Sequence, residues 1–70
     1  MMIPVLTTHR GYRLKASAAL MLGGLHTADP VIEQPGSSPQ IFAALDYFRD
    51  VEHALEYATA WGRIWIDMKT

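Results

Sequence analysis

DVEHALEYATAWGRIWIDMKT, residues 50–70, is the stretch that decides the predicted fold. Its apolar residues recur at spacings of three and four, which is typical of an amphipathic helix. Asp50 is the expected N-cap, because its carboxylate can accept hydrogen bonds from free amides of the first turn. Ala54, Ala58 and Gly62 recur every four residues. This spacing predicts a groove of small side chains where the helix approaches a sheet closely.

Gly62 leaves a second interpretation of the same stretch open. A glycine inside a helix costs roughly 1 kcal/mol relative to alanine. The helix could therefore end at Gly62 and leave residues 63–68, RIWIDM, as a fourth strand. We favour the continuous helix, because a C-cap glycine does not require the regular spacing of small residues.

The residues before the helix predict a small antiparallel sheet. In RGYRLKASAAL, residues 10–20, polar and apolar side chains alternate as in a half-buried strand. A turn at Gly23-Gly24 follows, and residues 25–34 and 40–48 are the second and third predicted strands. Short connections favour antiparallel neighbours. The expected fold class is α+β: a three-stranded antiparallel meander packed against one C-terminal helix, in a single domain of residues 1–70.

The length and composition of the chain favour association with a partner. The chain has 70 residues, no cysteine, and 50% hydrophobic residues. A domain this small buries a limited fraction of its surface and usually needs disulfides, a metal or another subunit. The lack of cysteine excludes disulfides and thiolate zinc sites. A homodimer is therefore the expected source of additional stability.

The apolar segments are too short to predict a membrane protein. No apolar run approaches the roughly 20 residues of a membrane span. The run ASAALMLGGL, residues 16–25, lacks a convincing signal-peptide cleavage site. The expectation is a cytoplasmic protein with no membrane partner.

A helical wheel shows more apolar surface than one sheet can cover. The predicted core stripe is flanked by Ala54 and Ile66 and contains Val51, Leu55, Ala58, Gly62 and Trp65. Beside it lies a second apolar row, here called the second stripe, formed by Tyr57, Trp61, Ile64 and Met68. Three kinds of contact could cover the second stripe. Loops at residues 20–26 or 35–39 and another subunit are equal alternatives, and a bound cofactor is the least favoured. Because tyrosine, tryptophan and methionine are enriched at interfaces, we predict that the second stripe is a homodimer interface.

The residues capable of chemistry do not form a recognisable catalytic or metal-binding set. The three histidines are far apart in sequence, whereas zinc requires three or four suitably spaced ligands. The serines have no nucleophile elbow, and Gly23-Gly24 lacks a phosphate-loop fingerprint. Glu52 and Glu56 are best explained as a solvated helix face. We therefore predict no catalytic residue, metal or cofactor, and an enzyme without a recognisable motif is the third-ranked function.

Basic residues on the first predicted strand suggest an alternative function. Arg10, Arg13 and Lys15 lie in a region without acidic residues, and the last two share the outward face of the strand. Some DNA-binding domains place a small sheet in a groove, which is a likeness of fold alone. A nucleic-acid-binding or regulatory accessory protein is thus the alternative. The net charge of −1 supplies no general attraction to phosphates.

The pattern GYR near the start, a phenylalanine before the helix, and DVEHAxxxAxxxGRxWID resembles a known family. The likeness is to small uncharacterised bacterial proteins of the CV_2116-like type and covers about half of the chain. The chain departs from their pattern at Asp50, where threonine is expected, at His53, where glutamate is usual, and at Pro30. The resemblance implies strands followed by one C-terminal helix, and it implies no activity. The matching residues are Gly11, Tyr12, Phe48, Glu52, Ala54, Ala58, Gly62, Arg63, Trp65, Ile66 and Asp67.

The function predicted from these observations is a non-catalytic interaction or assembly module that forms a homodimer.

Overall fold

The computed structural model describes residues 4–70, which form an α+β fold with two antiparallel sheets and one C-terminal helix. The main sheet has the order β1-β2-β4-β5 and consists of β1 (Val5–His9), β2 (Tyr12–Ser17), β4 (Asp29–Glu33) and β5 (Gln40–Ile41). A small second sheet pairs β3 (His26–Thr27) with β6 (Tyr47–Phe48). The helix α1 comprises Val51–Lys69. The predicted fold class is therefore confirmed.

The predicted number of strands is wrong, because the main sheet has four strands where three were expected. The sequence prediction omitted β1, which pairs with β2 in continuous register from Val5↔Ala16 to His9↔Tyr12. These two strands are joined by Arg10 and Gly11, which have φ angles of 51° and 83°. Positive φ at both central residues is the requirement of the two-residue turn that matches the twist of a hairpin.

The predicted third strand is present only at its two ends, as β5 and β6. Between them the chain leaves the main sheet, and Ala44 has a φ of 55°. The cause is a contact from a distant part of the chain: the Ala44 amide donates to the Asp29 carboxylate at 2.7 Å. The Leu45 amide also donates to the Ala28 carbonyl at 3.0 Å. Residues 42–46 therefore wrap around the junction of β3 and β4.

The helix is continuous through Gly62, so the alternative of a fourth strand at residues 63–68 is wrong. Asp50 is its N-cap, as predicted, and accepts from the Glu52 amide at 3.0 Å. The row Ala54, Ala58, Gly62 and Ile66 is buried against the sheet. A Cβ added to Gly62 would lie 2.5 Å from Leu14 Cδ1, so helix and sheet approach as closely as the small-residue spacing predicted.

The predicted rotation of the helix is wrong by a fraction of a turn. Val51, expected in the core stripe, is exposed, and Leu55 and Trp65 are only half-buried. Ile66, expected at the flank, is completely buried. Ala54, Ala58 and Gly62 occupy the line of closest approach, where larger side chains do not fit, so Leu55 and Trp65 lie beside it.

Within residues 4–70, no helix is both long enough and apolar enough to cross a membrane.

Candidate functional site

The second stripe of α1 is covered at one part and open at another. The ring of Phe42 packs edge-on against Trp61 with 4.7 Å between ring centroids, and Phe48 lies 5.2 Å from Tyr57. Ile64 and Met68, in contrast, are 59% and 81% exposed. Part of the stripe therefore packs within the chain, and an interface with a second copy at this stripe stays a prediction.

The three basic residues of the alternative function do not form one strip. Arg13 and Lys15 lie on the outer face of the main sheet, where β2 pairs Arg13 with Glu33 of β4. Arg10 lies in the turn after β1, and its Nε is 2.9 Å from the Asp67 carboxylate. A depression of about 500 Å³ on the outer face is lined by Arg13, Lys15 and Glu33 together with apolar and hydroxyl side chains. Its charge is therefore mixed.

A polar cluster ties the β1–β2 turn to the end of the helix. His9 Nε2 donates to Asp67 Oδ1 at 2.8 Å, and Arg10 Nε forms an ion pair with the same oxygen at 2.9 Å. Arg10 Nη1 also donates to the Thr70 hydroxyl at 3.4 Å. The hydrogen bond from His9 is the main cause that lowers the pKa of Asp67, and the charges of His9 and Arg10 act in the same direction. Because the cluster is open to solvent, we assign it a structural role, which is to hold the β1–β2 turn against the end of the helix.

The cluster predicts a measurable dependence of stability on pH. A carboxyl whose pKa is lower in the folded state stabilises that state above its unfolded pKa, and the contribution is lost as pH falls through the folded pKa. Asp67 has an ordinary value of 3.8. We expect Asp67→Asn to have a lower free energy of unfolding than the natural chain at neutral pH. The difference between the two proteins should shrink as the pH falls below 3.8. Urea unfolding at several pH values measures it, and a constant difference down to the most acidic pH would contradict the assignment.

Ser17, Thr27 and Asp29 form a group of hydrogen bonds at the junction of β3 and β4. The Thr27 hydroxyl donates to the Asp29 carboxylate at 2.9 Å, and the Ser17 hydroxyl donates to the Asp29 carbonyl at 3.0 Å. In the part of the chain that the structure describes, no three histidine, aspartate or glutamate side chains are grouped closely enough to hold a metal ion. The hydrogen bonds of Thr27 and Ser17 with Asp29 therefore stabilise the β3–β4 junction.

The free edge of β1 is a surface that sequence reasoning missed. Among residues 4–70, β1 pairs only with β2, and its other side, here called the β1 edge, is open. A groove of about 270 Å³, here called the edge groove, lies between Val5, at the start of β1, and the helix. The available signal was VLTTH, residues 5–9, a segment rich in β-branched residues and free of glycine and proline. The edge groove is lined by Val5, Leu55, Glu56, Thr59, Ala60 and Arg63.

Comparison with known proteins finds no matching family model, no matching curated protein and no matching solved structure. The resemblance to CV_2116-like proteins therefore stays a prediction. Some of the residues that carry this resemblance have defined positions in the structure. Gly11 lies in the β1–β2 turn, and Gly62 lies against Leu14. Tyr12 and Trp65 pack around the buried cluster of Leu14, Ile32 and Ile66.

Proposed function

We propose that this protein is a non-catalytic assembly module that acts as a cytoplasmic homodimer. The observation that supports the proposal is the imbalance between the buried and the exposed apolar side chains. Eight hydrophobic residues are buried among the described residues, and five of these are alanines. The largest fully buried side chains in this part of the chain are Leu14, Ile32, Ile66 and Pro30. Eleven large hydrophobic residues are exposed in the same part of the chain.

This imbalance favours a partner for a physical reason. Burial of apolar surface is the main favourable contribution to folding, at about 25 cal/mol per Å². A core composed mainly of alanines buries little of it per residue. Soluble monomers also avoid large contiguous apolar patches, which mark interaction sites. A second copy that covers part of this surface stabilises the folded chain by mass action.

The alternative functions have less support. Among residues 4–70, Arg13 and Lys15 make no ion pair, but Glu33 lies opposite Arg13 and Arg10 is bound to Asp67. Such a mixed face offers few net phosphate contacts, which supply most non-specific affinity for nucleic acid. For an enzyme, the linked titratable side chains among residues 4–70 are His9 and Arg10 with Asp67, and they lie open to solvent. An assembly role needs neither feature.

Molar mass in solution tests the proposal. Light scattering coupled to size exclusion should give twice the chain mass of 7.8 kDa at micromolar concentration, with dissociation on dilution. Circular dichroism on the same samples should show whether the helix persists after dissociation. A folded chain of single mass at every concentration, up to the highest that is soluble, would contradict the proposal.

A further inference from the structure

We propose that the two copies associate through their β1 strands, which pair antiparallel across a two-fold axis and join the two main sheets into one. This inference rests on the proposed homodimer and names the surface that forms it. The occupant of the β1 edge is thus a second copy of this chain, and the two helices lie side by side beneath the joined strands.

Within Val5–His9, the β1 edge lacks the residues that normally prevent strands from pairing with other chains, and the nearest proline, Pro4, lies just outside the strand. Proteins protect such edges with lysine, proline, bulges or a covering segment. The strand Val5–His9 contains no lysine, arginine, acidic residue or proline. Its pairing with β2 is continuous over five residues, so it has no bulge. Backbone groups that point away from β2 are therefore available to a further strand, which is a common way for proteins to associate.

Apolar side chains lie on both sides of this edge. On the helix side, Val5, Leu55 and Ala60 line the edge groove. On the outer face, Leu6 is 71% exposed. A partner strand that pairs with β1 brings side chains over both faces at once, so it buries apolar surface that the single chain leaves in water.

The charges of the edge groove match a second copy in antiparallel orientation. Glu56 and Arg63 are two helical turns apart on the same face, and both line the groove. Neither makes an ion pair within residues 4–70. A two-fold axis at the level between them places Glu56 opposite Arg63 of the partner subunit, and the reverse contact follows by symmetry. Each copy therefore supplies both the acidic and the basic residue that these contacts require.

The second stripe is a weaker choice for the same role. Phe42 and Phe48 already pack against its Trp61 and Tyr57. Its remaining exposed members, Ile64 and Met68, present no free backbone edge. Self-association at the stripe would also leave the β1 edge open.

A charge-swap experiment tests the inference. Glu56→Arg and Arg63→Glu each place like charges opposite one another, so each should raise the dimer dissociation constant at least about tenfold. The double variant Glu56→Arg/Arg63→Glu restores opposite charges and should recover dimerisation. All four proteins are compared by sedimentation at low salt, with circular dichroism as the check on folding. Singles that dimerise like the natural chain, or a double variant no better than the singles, would overturn the inference.

A matched control separates this surface from the second stripe. Ile64→Lys/Met68→Lys changes the two exposed stripe residues and leaves Trp61 in its contact with Phe42, so it should dimerise normally. Loss of the dimer in this variant would overturn the β1 pairing and favour the stripe. A natural chain that stays monomeric would instead contradict the proposed function itself.

Amide hydrogen exchange supplies a measurement that does not depend on any variant. In the natural dimer, amides of Val5–His9 that point away from β2 should exchange more slowly at high protein concentration than at low concentration. A dimer in which all these amides exchange at the same rate at both concentrations would exclude β1 pairing.

Discussion

Replacing Ile66 with alanine is expected to lower the free energy of unfolding by about 2–5 kcal/mol, as deletions of buried isoleucine do. Ile66 has no exposed surface and packs in one cluster with Leu14 and Ile32. Leu55→Ala should cost clearly less, because Leu55 is half-buried and borders the edge groove. Urea unfolding with matched m-values measures both changes. For a domain of 70 residues, the loss at Ile66 is a large share of the total stability.

The comparison also separates the core of one chain from the surface between two copies. If the partner covers the edge groove, the cost of Leu55→Ala should grow with protein concentration, because dimerisation and folding are then linked. The cost of Ile66→Ala should change little with concentration. Val51→Ala, at an exposed helix position, is the control with a small effect. An equal cost at Leu55 and Ile66 in dilute solution would mean that the helix faces the sheet as the hydrophobic pattern predicted.

The helix could be predicted from the sequence, but its rotation could not. Hydrophobic spacing locates a helix and an apolar side, and Asp50 marks its start. The line of closest approach depends on side-chain size, because the sheet admits Ala54, Ala58 and Gly62 where it would exclude leucine. A helical wheel based on hydrophobicity gives most weight to large apolar residues such as Leu55 and Val51. The predicted core stripe was therefore centred to one side of the residues that are buried, Ala54, Ala58, Gly62 and Ile66.

The sheet was predictable where local alternation is strong. The strand β1 was missed although it pairs locally with β2, because VLTTH, residues 5–9, does not alternate polar and apolar residues. The alternation of β2 placed Leu14 and Ala16 inward, as the structure shows. The predicted third strand is interrupted because the Asp29 carboxylate binds the Ala44 amide, a contact between residues fifteen positions apart. The link from His9 to Asp67 joins residues 58 positions apart, and no local spacing reveals it.

Gly62→Val is expected to cause a large loss of stability through overpacking. A Cβ at this position would lie 2.5 Å from Leu14 Cδ1 and 2.9 Å from Leu14 Cδ2. Leu14 is 1% exposed and packed against Ile32 and Ile66, so it has little room to move. Overpacking of this kind costs about 1–3 kcal/mol and sometimes more, and valine adds three carbons. Thermal and urea unfolding should place this variant at or beyond the limit of folding.

The alanine variant and a compensating change identify the cause. Gly62→Ala gains about 1 kcal/mol of helix propensity, which offsets part of the clash, so it should lose less stability than the valine variant. Leu14→Ala alone should cost about 2–5 kcal/mol through the cavity that it leaves. Combined with Gly62→Val, it makes room for the new side chain, so the double variant should be more stable than the sum of the two losses predicts. Simple additivity, or a Gly62→Ala protein stabilised by the full propensity gain, would mean that the helix does not lie against Leu14.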